Sequence, residues 1–292
     1  EIKDGTIKVE GVPESEAFTG NPITFDENSI KVTWSAMQNG VQVDDVLTLG
    51  TDYGITYEHN VKIGDGYVVI TAIPQSNYTG EYKHRFSIRA DIEVVDDPSS
   101  DVMTLEYEEN VPYGGENIPV YPELKFVDYS GPRYEDPSLE PYVLEEGKDF
   151  EIVVGTSIEG LGTSKNNINV ANYNPEDVEH SPTVVVRGIG NYYGAIKKYY
   201  NIVPKPLTDE SIRVVFTGGN GENGDEFYYT SAKVEPGYTI YNGESRMVLG
   251  RDYEHVGYSD NIEMSTEGHL AKLMIKAVEG GNYTGERTFE FK

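Results

Sequence analysis

The chain has no cysteine. That excludes disulfide staples, thiolate metal sites and cysteine nucleophiles, so the fold must hold by packing and turn chemistry alone. A eukaryotic secreted array of small β domains would often be stapled, and the absence leans toward a bacterial surface protein. Tryptophan is nearly missing too: Trp34 stands alone against 23 tyrosines and 9 phenylalanines. No apolar run reaches the roughly 18 residues that a membrane-spanning helix needs. No window carries a convincing 3.6-residue period, which removes amphipathic helices from the reading. Bases are scarce, 23 against 50 acids, for a formal charge of −27. The deficit is spread along the chain: 15, 20 and 15 acids against 7, 8 and 8 bases in residues 1–93, 94–205 and 206–292. Such a surface repels nucleic acid and anionic membranes, so neither is an expected partner.

What the chain does have is alternation and repetition. Ile7-Lys8-Val9-Glu10, Ile30-Lys31-Val32-Thr33-Trp34, Tyr67 to Ile73, Thr183 to Arg187 and Leu270 to Val278 are strand-length and β-branched or aromatic, with turn residues at their ends. Three phrases then recur in fixed order. Leu49-Gly50-Thr51-Asp52-Tyr53 returns as Glu146-Gly147-Lys148-Asp149-Phe150 and Leu249-Gly250-Arg251-Asp252-Tyr253. Asn77-Tyr78-Thr79-Gly80 returns as Asn191-Tyr192-Tyr193-Gly194 and Asn282-Tyr283-Thr284-Gly285. Phe86-Ser87-Ile88, Tyr200-Asn201-Ile202 and Phe289-Glu290-Phe291 close the three copies. A fixed order of landmarks in triplicate is the signature of tandem homologous modules. The expectation is all-β: three Ig-like antiparallel β-sandwich modules in an elongated array, residues 1–93, 94–205 and 206–292, with a β-grasp-like sheet as the alternative topology.

The phrases have a backbone logic. Gly80, Gly194 and Gly285 would supply positive φ. Asn77, Asn191 and Asn282 would close Asx turns, and Tyr78, Tyr192 and Tyr283 would fold inward at a sandwich corner. Asp52, Asp149 and Asp252 would accept backbone N–H groups in tight turns. On this reading the sequons Asn77-Tyr78-Thr79 and Asn282-Tyr283-Thr284 are turn chemistry. The third copy has one more residue between its Asp-Tyr and Tyr258 than the first has before Tyr57, which predicts a β-bulge near Val256-Gly257. Residues 155–182 read as an extended loop or extra hairpin. Asp91–Asp101 and Val203-Pro204-Lys205-Pro206-Leu207 read as linkers, the second stiffened by its prolines into a rod-like connection.

These phrases resemble the small repeated β modules of large bacterial surface proteins, the Ig-like adhesin and stalk repeats of gut Firmicutes. The first copy carries the pattern at Phe18-Thr19-Gly20, Asp52-Tyr53, Tyr57-Glu58-His59-Asn60 and Asn77-Tyr78-Thr79-Gly80. The third carries it at Tyr229, Asp252-Tyr253, Tyr258-Ser259-Asp260-Asn261 and Asn282 to Gly285. The middle copy has Phe150 for the tyrosine and no clean Tyr-x-x-Asn. The resemblance implies a scaffold and transfers no functional residue.

The Gly/Asn/acid run Thr217 to Phe227, with Glu222, Asp225 and Glu226, offers oxygen ligands that calcium would take, against the plainer reading of a solvated hairpin loop. The histidines His59, His84, His180, His255 and His269 form no zinc spacing. There is no Gly-x-Ser-x-Gly elbow, and Gly188 to Gly194 has the wrong spacing for a dinucleotide loop. No enzyme is expected, and no cofactor beyond structural calcium. Tyr192, Tyr193, Tyr228 and Tyr229 are the candidate glycan platform, with Tyr129, Tyr134, Tyr199 and Tyr200 nearby in type; one of each consecutive pair should face outward. Trp34 reads as core. The expectation is a monomeric, extracellular segment of a bacterial cell surface that spaces or presents something and binds a host or cell-surface protein or a glycan. The alternative is a glycan-binding segment of an adhesin or polysaccharide-utilisation protein.

Overall fold

The computed structural model describes residues 7–38, 40–131, 141–165, 167–221, 224–266 and 268–292. Among these the protein is all-β, with strands throughout, no α-helix and a 3₁₀ turn at Ile92–Asp96. No helix among the described residues is long and apolar enough to cross a membrane. The chain divides into two compact units: Glu1–Glu106, Leu124–Thr163 and Val185–Lys197 form one, and Tyr107–Glu123, Ser164–Val184 and Lys198–Lys292 the other. These boundaries follow contact density and differ from 1–93, 94–205 and 206–292, which follow the sequence period.

In the first unit, Lys31–Gln38 lies between Ile7–Glu10 and Val41–Val46, all antiparallel. A second sheet runs Tyr53–Glu58, Gly64–Ala72, Glu81–Asp91. Alternation is plain in Glu81–Asp91, where Phe86, Ile88 and Ala90 are buried and the residues between them are not. Both sheets feed one core of Ile7, Val32, Val68, Ile70, Phe86 and their neighbours. Trp34, expected there, packs against it half-buried and meets Tyr78 edge-on at 5.9 Å. The same unit holds Leu124–Asp128 paired antiparallel with Tyr142–Val143, and Phe150–Ile152 paired antiparallel with residues 186–188.

In the second unit, Gly237–Asn242 lies between Ile212–Thr217 and Ser245–Arg246. Ala271–Ala277 lies between Tyr253–Ser259 and Glu286–Phe291. The register of Tyr253–Ser259 slips between His255 and Gly257, which is the expected bulge. The described residues of 155–182 contain no long strand; Ile158 bridges Gly162 in a tight turn and Ala171 bridges Ile202. The stretch from Asp91 is more than a polar linker. Ile92 is fully buried, and Asp91 caps the 3₁₀ turn by accepting from Glu93 N at 2.9 Å.

Candidate functional site

The Gly-x-Asp turns behave as the sequence implies. Asp52, Asp149 and Asp252 each accept from the backbone N–H four residues back, those of Thr48 at 2.8 Å, Glu145 at 3.0 Å and Val248 at 2.7 Å. Gly50, Gly147 and Gly250 stand at φ 77°, 81° and 83°, where a side chain would be strained. These carboxylates serve backbone geometry. Arg251 extends one of them, spanning Asp252 and a two-pronged pair with Glu116 at 3.1 and 3.0 Å.

The Tyr-x-x-Asn phrase also has a physical role. Asn60 Nδ2 donates to Ile23 O at 2.8 Å while Ile23 N donates to Asn60 O at 2.7 Å. Asn261 and Val234 repeat the pair at 3.0 and 2.9 Å. The residue before each asparagine, His59 or Asp260, is left-handed at φ 54° or 55°. Tyr57 and Tyr258 donate to the carbonyls of Phe25 and Pro236. The middle copy keeps the asparagine where the sequence did not reveal it. Asn167 O accepts from Val120 N at 3.0 Å, and the Tyr200 hydroxyl donates to Val120 O. Asn167 is displaced from its tyrosine partner along the chain, so spacing could not find it.

The second and third Asn-Tyr-x-Gly corners are the places where a strand leaving one copy meets the next. In the first unit, Ala90 and Asp91 pair in parallel with Tyr192 and Tyr193, and Ala90 N donates to Asn191 O at 3.0 Å. Arg89 reinforces the contact: Nε donates to Gly190 O at 3.0 Å and Nη2 to Tyr192 O. In the second unit, Lys205 and Pro206 pair in parallel with Tyr283 and Thr284. Lys205 N donates to Asn282 O at 3.0 Å and Leu207 N to Thr284 O at 2.8 Å. Tyr192 is fully enclosed, its hydroxyl donating to the buried Asp128 at 2.8 Å. Tyr283 is also buried, accepts from Asn242 Nδ2 at 3.2 Å, and has its hydroxyl pushed up to about 12 by burial. Tyr78 is half-buried and donates to Asp45, and its hydroxyl is raised to about 12 by burial first and Asp45 second. The glycines Gly80, Gly194 and Gly285 take φ 96°, 81° and 81°, as expected. The asparagine side chains differ from expectation. In the first corner the local bond comes from Ser76, whose Oγ accepts from Tyr78 N at 3.2 Å, and Asn282 Oδ1 accepts from Val170 N instead.

The candidate ligand residues separate. Tyr192 is interior and offers no platform. Tyr193 is its outward partner, with the Arg89 guanidinium 5.7 Å from its ring centre. Tyr200 is buried, Tyr199 stacks on Tyr173 at 4.9 Å, and Tyr134 lies outside the described residues. Tyr228 and Tyr229 are exposed, 83% and 57%, beside a cleft of about 320 Å³ floored by Phe291 and walled by Ile262 and Met264. The opening turn of the third copy is set by Phe227 rather than Tyr229. Phe227 N donates to Lys292 O at 2.7 Å, as Phe18 N does to Arg89 O at 2.8 Å and Tyr113 N to Val203 O at 2.9 Å. Of the acidic loop, Glu222 lies outside the described residues. Glu226 pairs its backbone with Asn220 and its carboxylate with Lys292 at 3.6 Å, and Asp225 gives its carbonyl to Lys292 N at 2.7 Å. No group of three His, Cys, Asp or Glu suited to a metal occurs among the described residues.

A wider groove of about 850 Å³ opens in the same unit, lined by Tyr238, Arg246, Tyr253, His255 and Tyr258. The bulge builds it. Residues 255 and 258 are three apart and would face opposite ways in a regular strand; the extra residue turns them to one side, with ring centres 5.2 Å apart. Tyr238 stacks on His255 at 5.8 Å, and its hydroxyl lies 2.8 Å from Nδ1. Burial raises the Tyr238, Tyr253 and Tyr258 hydroxyls above the ordinary phenol value. Sequence reasoning missed this cluster, although the odd insertion that signals the bulge was its trace.

No protein-family model matches the chain, and no match was found among curated proteins. A solved protocadherin gammaB7 EC3-6 cis-dimer structure aligns with 97% of this chain and 75% of that one, at 8% identity and a TM-score of 0.19, too slight a likeness to carry an argument.

Proposed function

We propose that this chain is a non-catalytic, extracellular array of three Ig-like β-sandwich modules, residues 1–93, 94–205 and 206–292, that spaces or presents a distal site on a bacterial cell surface. The observation that carries the reading is the pair of parallel bridges, Ala90-Asp91 on Tyr192-Tyr193 and Lys205-Pro206 on Tyr283-Thr284. Each ties the strand leaving one copy to a corner of the next, so the connection is hydrogen-bonded backbone rather than a loose tether. The resemblance to adhesin repeats supports the extracellular setting, the absence of cysteine favours a bacterial over a eukaryotic source, and the charge of −27 keeps such a surface soluble at high local density.

Pulling the chain by its two ends tests this. Three modules rupture in three steps, each releasing on the order of 300 Å of chain at about 3.4 Å per residue. One rupture releasing the whole length would overturn the reading.

The second reading is glycan binding, favoured by the bulge-built groove of Tyr238, His255 and Tyr258, where rings and an arginine converge. A glycan array with the wild-type chain and Tyr238→Ala decides it: binding lost in the variant supports the reading, and no bound glycan removes it. On either reading the partner is a host or cell-surface protein or a glycan.

A further inference from the structure

The Asn-Tyr-x-Gly corner occurs three times, and two copies hold an extended strand in parallel register. Those occupants share their chemistry. Each gives a backbone N–H to the carbonyl of the corner asparagine, from Ala90 and from Lys205, both at 3.0 Å. Two residues on, each buries an aliphatic side chain completely, Ile92 or Leu207. In parallel ladder geometry the occupant's carbonyl also accepts the corner amide of Tyr193 or Thr284.

The first corner has the same sequence and the same left-handed glycine, Gly80 at φ 96°. Yet Tyr78 and Thr79 lie outside any strand, whereas Tyr192–Tyr193 and Tyr283–Thr284 are strands. Among the described residues nothing pairs with Asn77-Tyr78-Thr79. The corner is built by its own copy: Ala72 N donates to Gly80 O at 3.0 Å and Ser76 N to Ile73 O at 3.1 Å. The corner therefore stands formed, and among the described residues Asn77 O, Thr79 N and Thr79 O have no ladder partner.

We infer that Asn77–Gly80 is a docking slot for the exit strand of another module of this kind, taken as an extended segment in parallel register with an aliphatic residue two positions past its bridging N–H. The inference rests on the module reading above and adds a recognition rule to it: the occupant is chosen by backbone pairing and one apolar plug. Side-chain charge at the bridging position matters little, because alanine and lysine both serve there.

The test grafts Asn201-Ile202-Val203-Pro204-Lys205 ahead of Glu1 in the full chain. This sets the grafted lysine seven residues before Ile7, as Lys205 stands before Ile212. Amide exchange is then followed at Thr79, Tyr193 and Thr284. In the ungrafted chain Thr79 should exchange fast and the other two slowly; in the grafted chain Thr79 should slow by at least about tenfold. A graft with proline in place of the lysine has no N–H to give and should return Thr79 to its fast rate. A Thr79 amide that is slow before grafting, or unmoved by it while Tyr193 and Thr284 stay protected, overturns the slot. Fast exchange at Tyr193 and Thr284 would instead overturn the module reading beneath it.

Discussion

Tyr78 and Tyr192 stand in the same phrase, two residues before a left-handed glycine, and end in different surroundings. Tyr192 is sealed beneath a parallel strand with its hydroxyl on a buried carboxylate; Tyr78 is half-buried with its hydroxyl on an exposed one. The local turn is the same, so the turn is written in the phrase. The difference lies in what arrives from elsewhere in the chain. Tyr192 meets the buried Asp128 and the parallel strand at Ala90-Asp91 and is out of water, where a ring contributes most to stability.

The largest test of that contrast is truncation. Tyr192→Ala should lose about 3–5 kcal/mol in denaturant unfolding, the usual loss for a fully buried aromatic ring. Tyr78→Ala should lose only about 1–2 kcal/mol, since less area leaves water. Equal losses would break the comparison.

The glycines sharpen it. Gly194→Ala and Gly285→Ala both force a side chain into the left-handed region, at about 1–2 kcal/mol each. A Cβ at 194 would also stand 2.1 Å from Asp91 Oδ1, whereas one at 285 meets nothing within 4 Å. Asp91 is held by Glu93 N and cannot retreat without releasing its cap. Gly194→Ala should therefore be the worse of the two by at least about 1 kcal/mol in the same measurement.

The bracketing asparagines come next. Asn167 is buried and serves Thr183 twice, donating to its carbonyl at 3.0 Å and accepting from its N–H at 3.2 Å. Asn167→Ala strips both bonds from an enclosed backbone and should lose about 2–3 kcal/mol, against about 1 for the half-buried Asn60→Ala. Thermal unfolding of the two variants checks the order.

The smallest effect is acid sensitivity confined to one copy. Burial lowers His84 below the ordinary imidazole value. The unfolded chain then binds the proton more readily than the folded one, so its contribution is fully present above about pH 6.5 and fades as pH falls through the folded value. Trp34 is the only tryptophan and reports on the first copy alone. Its fluorescence melting point should fall below pH 6.5, and His84→Gln should flatten that slope.

Much of this was legible because it is local. The Asp turns need one acceptor four residues from one N–H, the positive φ needs glycine, and an odd insertion in a two-sided strand must bulge. What escaped was set by partners distant in sequence. Asn167 substitutes for the Tyr-x-x-Asn asparagine only because Val120 and Tyr200 come to it. Phe227, not Tyr229, opens the third copy because Lys292 pairs with it. The asparagine side chains of the corners were expected to close their own turns, but Ser76 does so in the first, and Asn282 is drawn to Val170.

By itself the sequence determined the strands, the turns and their triplicate order, since alternation, glycine and short-range hydrogen bonding act between residues a few positions apart. Only the tertiary structure decided which corners are covered, which tyrosines are interior, and that a bulge gathers Tyr238, His255 and Tyr258 into one groove. Those outcomes depend on burial and register between strands far apart in the chain, and no single segment encodes them.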